Sequence, residues 1–114
     1  MINRLEEYRQ TPRVKLQDEV RYQIRGKPVY SHTISDNISC GGMSFSNGRF
    51  LAPDTLLMLE VNVLSRVLKP VAKVRWANSV AHTDRYKYGV EFLEMDSEDK
   101  KYLSDYIDMQ SGRL

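Results

Sequence analysis

The chain of 114 residues has little cysteine, no long apolar run and almost no excess of charge of either sign. Its one cysteine, Cys40, cannot form a disulfide within the chain, which favours a reducing compartment. The longest aliphatic run, residues 56–59, is too short to cross a bilayer. The formal net charge of +2 lacks the dense basic face that is typical of duplex DNA binders. We therefore expect a cytoplasmic protein with no membrane insertion and no DNA partner.

Residues for catalysis or metal binding are equally sparse. His32 and His82 are far apart in the chain and have no second ligand pattern, so no metal site and no cofactor are predicted. Ser39 with His32 would need a third, orienting group that the sequence does not offer, so we predict no catalytic residues and no enzyme. No neighbouring feature lowers the pKa of the Cys40 thiol, which favours a buried structural cysteine.

Most of the chain alternates between apolar and other residues with a period of two, which is typical of strands. Six such segments are predicted: one at about residues 14–24, one on each side of the turn in residues 35–45 (with Tyr30, His32 and Ile34 before it and Met43 and Phe45 after it), and three at about residues 56–64, 67–78 and 85–93. Asp18 interrupts the first segment, and Pro70 marks an edge or bulge in the fifth. Trp76 is expected on the same face as Ala72 and Val74, packed in the core. Short connections between alternating strands predict an antiparallel barrel or sandwich.

The period changes near the end of the chain. Asp96 is a candidate N-cap, and the acidic residues after it suit the positive end of a helix dipole. The apolar residues that follow have helical spacing: Tyr102, Leu103, Tyr106 and Ile107. This stripe predicts a C-terminal helix that packs on the strands.

Residues 35–45 contain the pattern Asn37-x-Ser39-x-x-Gly42 between two predicted strands. Asn37 and Ser39 are two apart, so their side chains would point the same way on a strand. An amide and a hydroxyl both donate and accept hydrogen bonds, which suits recognition of a flat polar heterocycle. The same residue types also form turns by bonding to nearby backbone. Gly42 is expected to permit the turn by adopting positive φ.

The residues before the first strand carry Arg9 and Arg13 and no apolar pattern. Pro12 disfavours a continuous helix there, so an irregular arm is predicted. We divide the chain into an N-terminal arm, residues 1–13, and a strand domain with its helix, residues 14–110.

Together these features resemble the PilZ domain, the bacterial receptor family for the second messenger cyclic di-GMP. Arg9 and Arg13 match the family's Arg-x-x-x-Arg, and residues 37–42 match its Asp/Asn-x-Ser-x-x-Gly. Trp76 and the later Tyr-Gly-Val-Glu-Phe at residues 88–92 resemble its last two strands. The resemblance implies a six-stranded antiparallel β-barrel with a C-terminal helix packed on it.

The resemblance also implies a function. The ligand would be cyclic di-GMP, and the residues that match the family's binding motifs are Arg9, Arg13, Asn37, Ser39 and Gly42. Binding would order the arm and change the conformation, and so signal to an unidentified effector protein. Two alternatives stay open: a PilZ-like protein-interaction domain that binds no nucleotide, and a small-barrel binder of single-stranded nucleic acid. A homodimer is also left open.

Overall fold

The computed structural model describes residues 12–112 as eight strands and a helix. The elements are β1 (Val14–Lys15), β2 (Glu19–Ile24), β3 (Tyr30–Ser39), β4 (Gly42–Asn47), β5 (Leu56–Val63), β6 (Arg66–Leu68), β7 (Val71–Ser79), β8 (Tyr86–Glu94) and α1 (Ser97–Gln110). Six strands pair in the order β2-β5-β7-β8-β4-β3, and β3 pairs with β2 again. All these pairs are antiparallel, so the strands form a closed barrel, which confirms the predicted fold class.

The first predicted strand is divided near Asp18, where the sequence indicated a break. Residues 14–15 pair with the end of β3, whereas residues 19–23 pair with its beginning. Ser35 on β3 joins the two halves: its hydroxyl donates to the Leu16 carbonyl and accepts from the Asp18 N–H at 3.2 Å. This break places the segment that leads into the barrel directly beside Asn37, because Lys15 is its register partner.

The fifth predicted strand is divided as well, at Pro70. Residues 66–68 fold back on β5 as the short strand β6, and β7 begins at Val71. Pro70 has no N–H to donate to a ladder, but its carbonyl accepts from the Leu59 N–H at 3.0 Å. The edge or bulge predicted there is therefore a break between two strands.

The barrel interior is filled by alternating apolar side chains. On β5 the buried residues are Leu57, Leu59, Val61 and Val63, as the alternation predicted. Phe45 packs between Tyr22 and Tyr88, with ring centroids 5.9 and 5.5 Å away. The buried Tyr88 hydroxyl accepts from the Leu51 N–H at 2.8 Å and donates to a backbone carbonyl, so its polar end is satisfied inside the core.

Helix α1 begins as predicted, with Asp96 accepting the Glu98 N–H at 2.8 Å. Its buried apolar residues, Leu103, Tyr106 and Ile107, join the core, which confirms packing on the barrel. Within residues 12–112, no helix is both long enough and apolar enough to cross a membrane.

A buried carboxylate at the first turn of α1 holds the helix to the β5–β6 hairpin. Asp99 accepts from Arg66 Nε at 2.9 Å and Nη2 at 2.8 Å, and from the Lys69 N–H at 3.4 Å. Arg66 also lies 5.5 Å from the ring centre of Tyr102. Charge-assisted bonds of this kind are stronger than neutral ones, so this contact fixes where the helix starts on the barrel.

Asp99→Ala should lower the free energy of unfolding by about 1–2 kcal/mol, because it removes bonds to a guanidinium that is itself partly exposed. Urea denaturation measures the loss. Glu98→Ala is the matched control: Glu98 is exposed and 3.9 Å from Arg66, so its effect should stay within about 0.5 kcal/mol. Equal effects of the two substitutions would contradict the role given to Asp99.

Gly42 is needed for a reason other than the one predicted. Among the described glycines, Gly26 and Gly112 have positive φ and Gly42 does not. A Cβ on Gly42 would instead lie 2.1 Å from the carbonyl oxygen of Val90, which is backbone and cannot move aside. The expectation of positive φ at Gly42 was therefore wrong. The glycine allows β4 to begin in close contact with β8.

Gly42→Ala should destabilise the fold by about 1–3 kcal/mol, since the added methyl overlaps a backbone carbonyl. Gly41→Ala is the matched control, because a Cβ there has no neighbour within 4 Å and the residue lacks positive φ. We expect it to change stability by less than about 1 kcal/mol. Thermal unfolding of both variants tests this, and a Gly41 variant that melts below the Gly42 variant would refute the assignment.

Candidate ligand-binding site

Asn37 and Ser39 share the outer face of β3, as predicted. Ile38 between them lies in the core, and the register from Asn37 to Ser39 is regular. A bulge precedes them, between Ser35 and Asn37. The bulge changes which residues point inward, from odd-numbered Ser35 to even-numbered Ile38, and so it puts the motif's amide and hydroxyl on the outer face of the strand, where Asn37 is partly exposed and Ser39 is buried.

Ser39 acts within its own turn. Its hydroxyl donates to the Gly42 carbonyl and accepts from the Gly41 N–H, each at 3.3 Å. The side chain is buried, and its two hydrogen bonds span the two-residue turn that joins β3 to β4. These two bonds stabilise the turn, and this structural role is by itself a sufficient reason for a serine at position 39, whether or not the side chain also contacts a ligand.

The structure brings Arg13 and Asn37 together. Arg13 Nη1 donates to Asn37 Oδ1 at 2.6 Å across 24 positions of the chain. This contact follows from the pairing of β1 with β3, since Lys15 lies opposite Asn37. Two motifs that are separate in the sequence thus meet on one face. Arg9, the other arginine of the predicted site, lies outside the described residues.

A row of register partners continues from Asn37 around the barrel. It crosses four neighbouring strands after β1, and its members are Lys15, Asn37, Ser44, Gly89 and Trp76. We call these five residues the outer row. The middle of the row carries little side-chain volume of its own, because Ser44 is small and Gly89 has no side chain.

Trp76 contradicts the prediction that it packs in the core. A register shift between Val74 and Trp76 turns the indole outward, and 41% of the residue is exposed. The indole lies on Gly89, where a Cβ would overlap the indole nitrogen. The signal in the sequence was the glycine itself, because a glycine inside an alternating strand marks a close approach by another group. Phe92 on β8 is partly buried against the core.

Two ion pairs flank the outer row. The bulge in β3 contains Asp36 as its extra residue, and the register shift in β7 contains Arg75. Each of these charged residues pairs with a side chain on β8 that lies two positions from Gly89. Asp36 lies 3.8 Å from Lys87, and Arg75 Nε donates to Glu91 at 2.7 Å. All four side chains are partly exposed, so the pairs add little stability, and an anionic ligand can compete for the cations.

Cys40, expected to be buried, is exposed in the turn between β3 and β4. Desolvation beside α1 raises the pKa of the Cys40 thiol; a hydrogen bond with Ser104 opposes this shift and the charge of Asp108 adds to it. The thiol is therefore not an activated nucleophile. It borders a cavity of about 340 Å³ between α1 and the end of β8, away from the outer row.

The groups considered for catalysis are not assembled. His32 bonds to Glu19 at 2.8 Å, whereas Ser39 bonds to Gly42, so no serine–histidine pair forms. Within residues 12–112, no three or more His, Cys, Asp or Glu side chains form a group that could hold a metal ion. The polar side chains of the outer row can bind and orient a ligand through hydrogen bonds, stacking and charge.

Comparison with known proteins agrees with this geometry. The PilZ domain family model matches residues 7–109. No curated protein matches the sequence at a significant level. The fold is similar to that of the Bacillus subtilis inhibitor of motility MotI/DgrA, with a TM-score of 0.72 and 22% identity over 96% of this chain and 52% of that one. The chain therefore spans about half the length of that protein.

Two further solved structures share the fold and were determined with cyclic di-GMP. The PilZ domain of YcgR from Escherichia coli has a TM-score of 0.69 and 12% identity, over 90% of this chain and 91% of that one. PlzA from Borreliella burgdorferi has a TM-score of 0.60 and 15% identity, over 90% and 43%. With the family model matching nearly the whole chain and the same barrel in its structural neighbours, this chain belongs to the PilZ domain family.

Proposed function

We propose that this protein is a cyclic di-GMP receptor that changes conformation on binding and signals to a partner protein. The observation that carries the proposal is the 2.6 Å contact between Arg13 and Asn37, which joins the two PilZ motifs on one face. Membership of the family supports it, as do the cyclic di-GMP complexes of YcgR and PlzA. The site is assigned to Arg9, Arg13, Asn37, Ser39 and Gly42, with Trp76 added from the structure.

The chemistry of the ligand fits these groups. Cyclic di-GMP carries two phosphates and two guanines, and a guanidinium binds either a phosphate or the O6/N7 edge of guanine with two parallel bonds. Asn37, whose oxygen already accepts from Arg13, can donate to a base edge through its Nδ2. The exposed Trp76 indole offers a flat surface at the other end of the outer row. Ser39 and Gly42 contribute by holding the turn in shape.

Binding is tested by titrating the purified protein with cyclic di-GMP and following the emission of its single tryptophan. We expect a saturable decrease or increase in tryptophan emission. The affinity should fall as the salt concentration rises, because the complex brings the negative phosphates next to the positive arginines. Arg9→Ala or Arg13→Ala should each weaken binding about ten- to hundredfold, the range for a lost bond to a charged group. Arg25→Ala, in the turn after β2, removes the same charge elsewhere and should bind as wild type.

The same titration separates the alternatives. An interaction domain that binds no nucleotide would show no change with any ligand. A single-stranded nucleic-acid binder would respond to an oligonucleotide more strongly than to cyclic di-GMP. GMP as a competitor shows whether the site needs both halves of the cyclic ligand. Wild-type affinity in both the Arg9 and Arg13 variants would remove those arginines from the site.

The conformational change is tested by limited trypsin digestion. If the ligand fixes Arg9 and Arg13 against the outer row, where Arg13 already contacts Asn37, saturating cyclic di-GMP should slow cleavage after both residues. Cleavage after Arg25, in an exposed turn, should keep its rate and serves as the internal control. Equal cleavage after Arg9 and Arg13 with and without ligand would exclude this mechanism in a protein that binds.

A further inference from the structure

The Ser44 hydroxyl is buried and has no hydrogen-bond partner. Ser44 is 3% exposed, and within residues 12–112 only its Oγ and Arg21 Nε are buried side-chain polar atoms of this kind. Buried polar atoms in folded proteins are nearly always paired, because an unpaired one loses its bonds to water without replacement. The described residues therefore supply no hydrogen-bond partner for this hydroxyl.

Other buried serines on the neighbouring strand show the contrast. Ser35 bonds to the backbone of the segment between β1 and β2, and Ser39 bonds within its turn. Each of these hydroxyls has a structural task, whereas Ser44 has none. An alanine at this position would avoid the unsatisfied hydroxyl and would fit the same space, so folding alone does not favour serine here.

The position of Ser44 indicates where a partner would come from. Its neighbours along β4, Met43 and Phe45, are in the core, so Ser44 belongs to the outer face. It is the register partner of Asn37 on one side and of Gly89 on the other. It is thus the middle of the outer row, between the Asn37 amide and the indole that covers Gly89. A planar ligand that reached from Asn37 to the indole would cross Ser44 and would bond to its hydroxyl by displacing the atoms that cover it in the free protein.

We propose that Ser44 is a further binding residue of the site and that its hydroxyl bonds to the edge of a purine base held between Asn37 and Trp76. The inference rests on the proposed function and adds a residue to it. A hydroxyl can donate to purine O6 or N7 and can accept from a ring N–H or an exocyclic amine. Binding would supply the missing hydrogen bond. The free-energy penalty of the unpaired hydroxyl would then be present in the free protein and absent from the complex.

The test compares Ser44→Ala with the matched control Ser46→Ala, which removes a hydroxyl two positions along the same face of β4, outside the outer row. Cyclic di-GMP affinity is measured by calorimetry and stability by thermal unfolding. Ser44→Ala should bind about three- to tenfold more weakly, the range for one neutral hydrogen bond. Its melting temperature should be equal to or above that of wild type. Ser46→Ala should bind within about twofold of wild type.

The outcomes distinguish this inference from the proposed function. Wild type that binds, with Ser44→Ala binding equally well, would overturn the role of Ser44 alone. Weaker binding together with a lower melting temperature would assign Ser44 a structural role and overturn the inference as well. Wild type that fails to bind cyclic di-GMP would overturn the proposed function and this inference with it. Weaker binding at unchanged or raised stability supports both.

Discussion

The architecture depends on the close approach of β4 to β8 at Gly42. A side chain there would overlap the Val90 carbonyl, so only glycine lets the two backbones meet where β4 begins. β4 pairs with β3 on one side and β8 on the other, and these two ladders close the barrel. In a strand, a shift of one residue would turn Met43 and Phe45 outward and Ser44 inward. The contact at Gly42 thus sets both the core and the outer row.

Two bulges, one in β3 and one in β7, determine which side chains face outward at the candidate site. In β3 the inward positions are odd before the bulge and even after it, so Thr33 and Ser35 point inward and bond to backbone carbonyls. Ile34, although apolar, is exposed for the same reason. In β7 the second bulge moves Trp76 out of the core. Both irregularities lie on the strands that carry the site.

The regular parts of the fold could be predicted from the sequence because they follow local periodicity. The alternation of β5, the cap at Asp96 and the stripe of α1 are each encoded by neighbouring residues, and the structure confirms them. Trp76 could not be placed, because a register shift depends on how β7 pairs with β8. The reason for Gly42 was missed in the same way, since Val90 is 48 positions away in the chain. Cys40 was misplaced because its exposure depends on where α1 docks.

In the candidate site, too, the features set by neighbouring residues could be predicted from the sequence, and those set by distant contacts could not. The motif spacing correctly placed Asn37 and Ser39 on one face, and the meeting of Arg13 with Asn37 agrees with the resemblance that linked them. Ser44 carried no local signal, because a serine between two apolar residues is ordinary on the outer face of a strand. Its significance comes from burial without a partner, which only the three-dimensional structure reveals.

In the proposed complex, the contact between Arg13 and Asn37 would also affect which edge of a base the amide can bind. Asn37 Oδ1 already accepts from the guanidinium at 2.6 Å, while its Nδ2 carries two donors. A carboxylate at this position could only accept, and it would suit the N1 and N2 donors of guanine. The amide, held through its oxygen by Arg13, instead presents donors, which match the O6 and N7 acceptors. In the proposed complex, asparagine would therefore favour a different edge of the base from aspartate, and the contact with Arg13 would contribute to that choice.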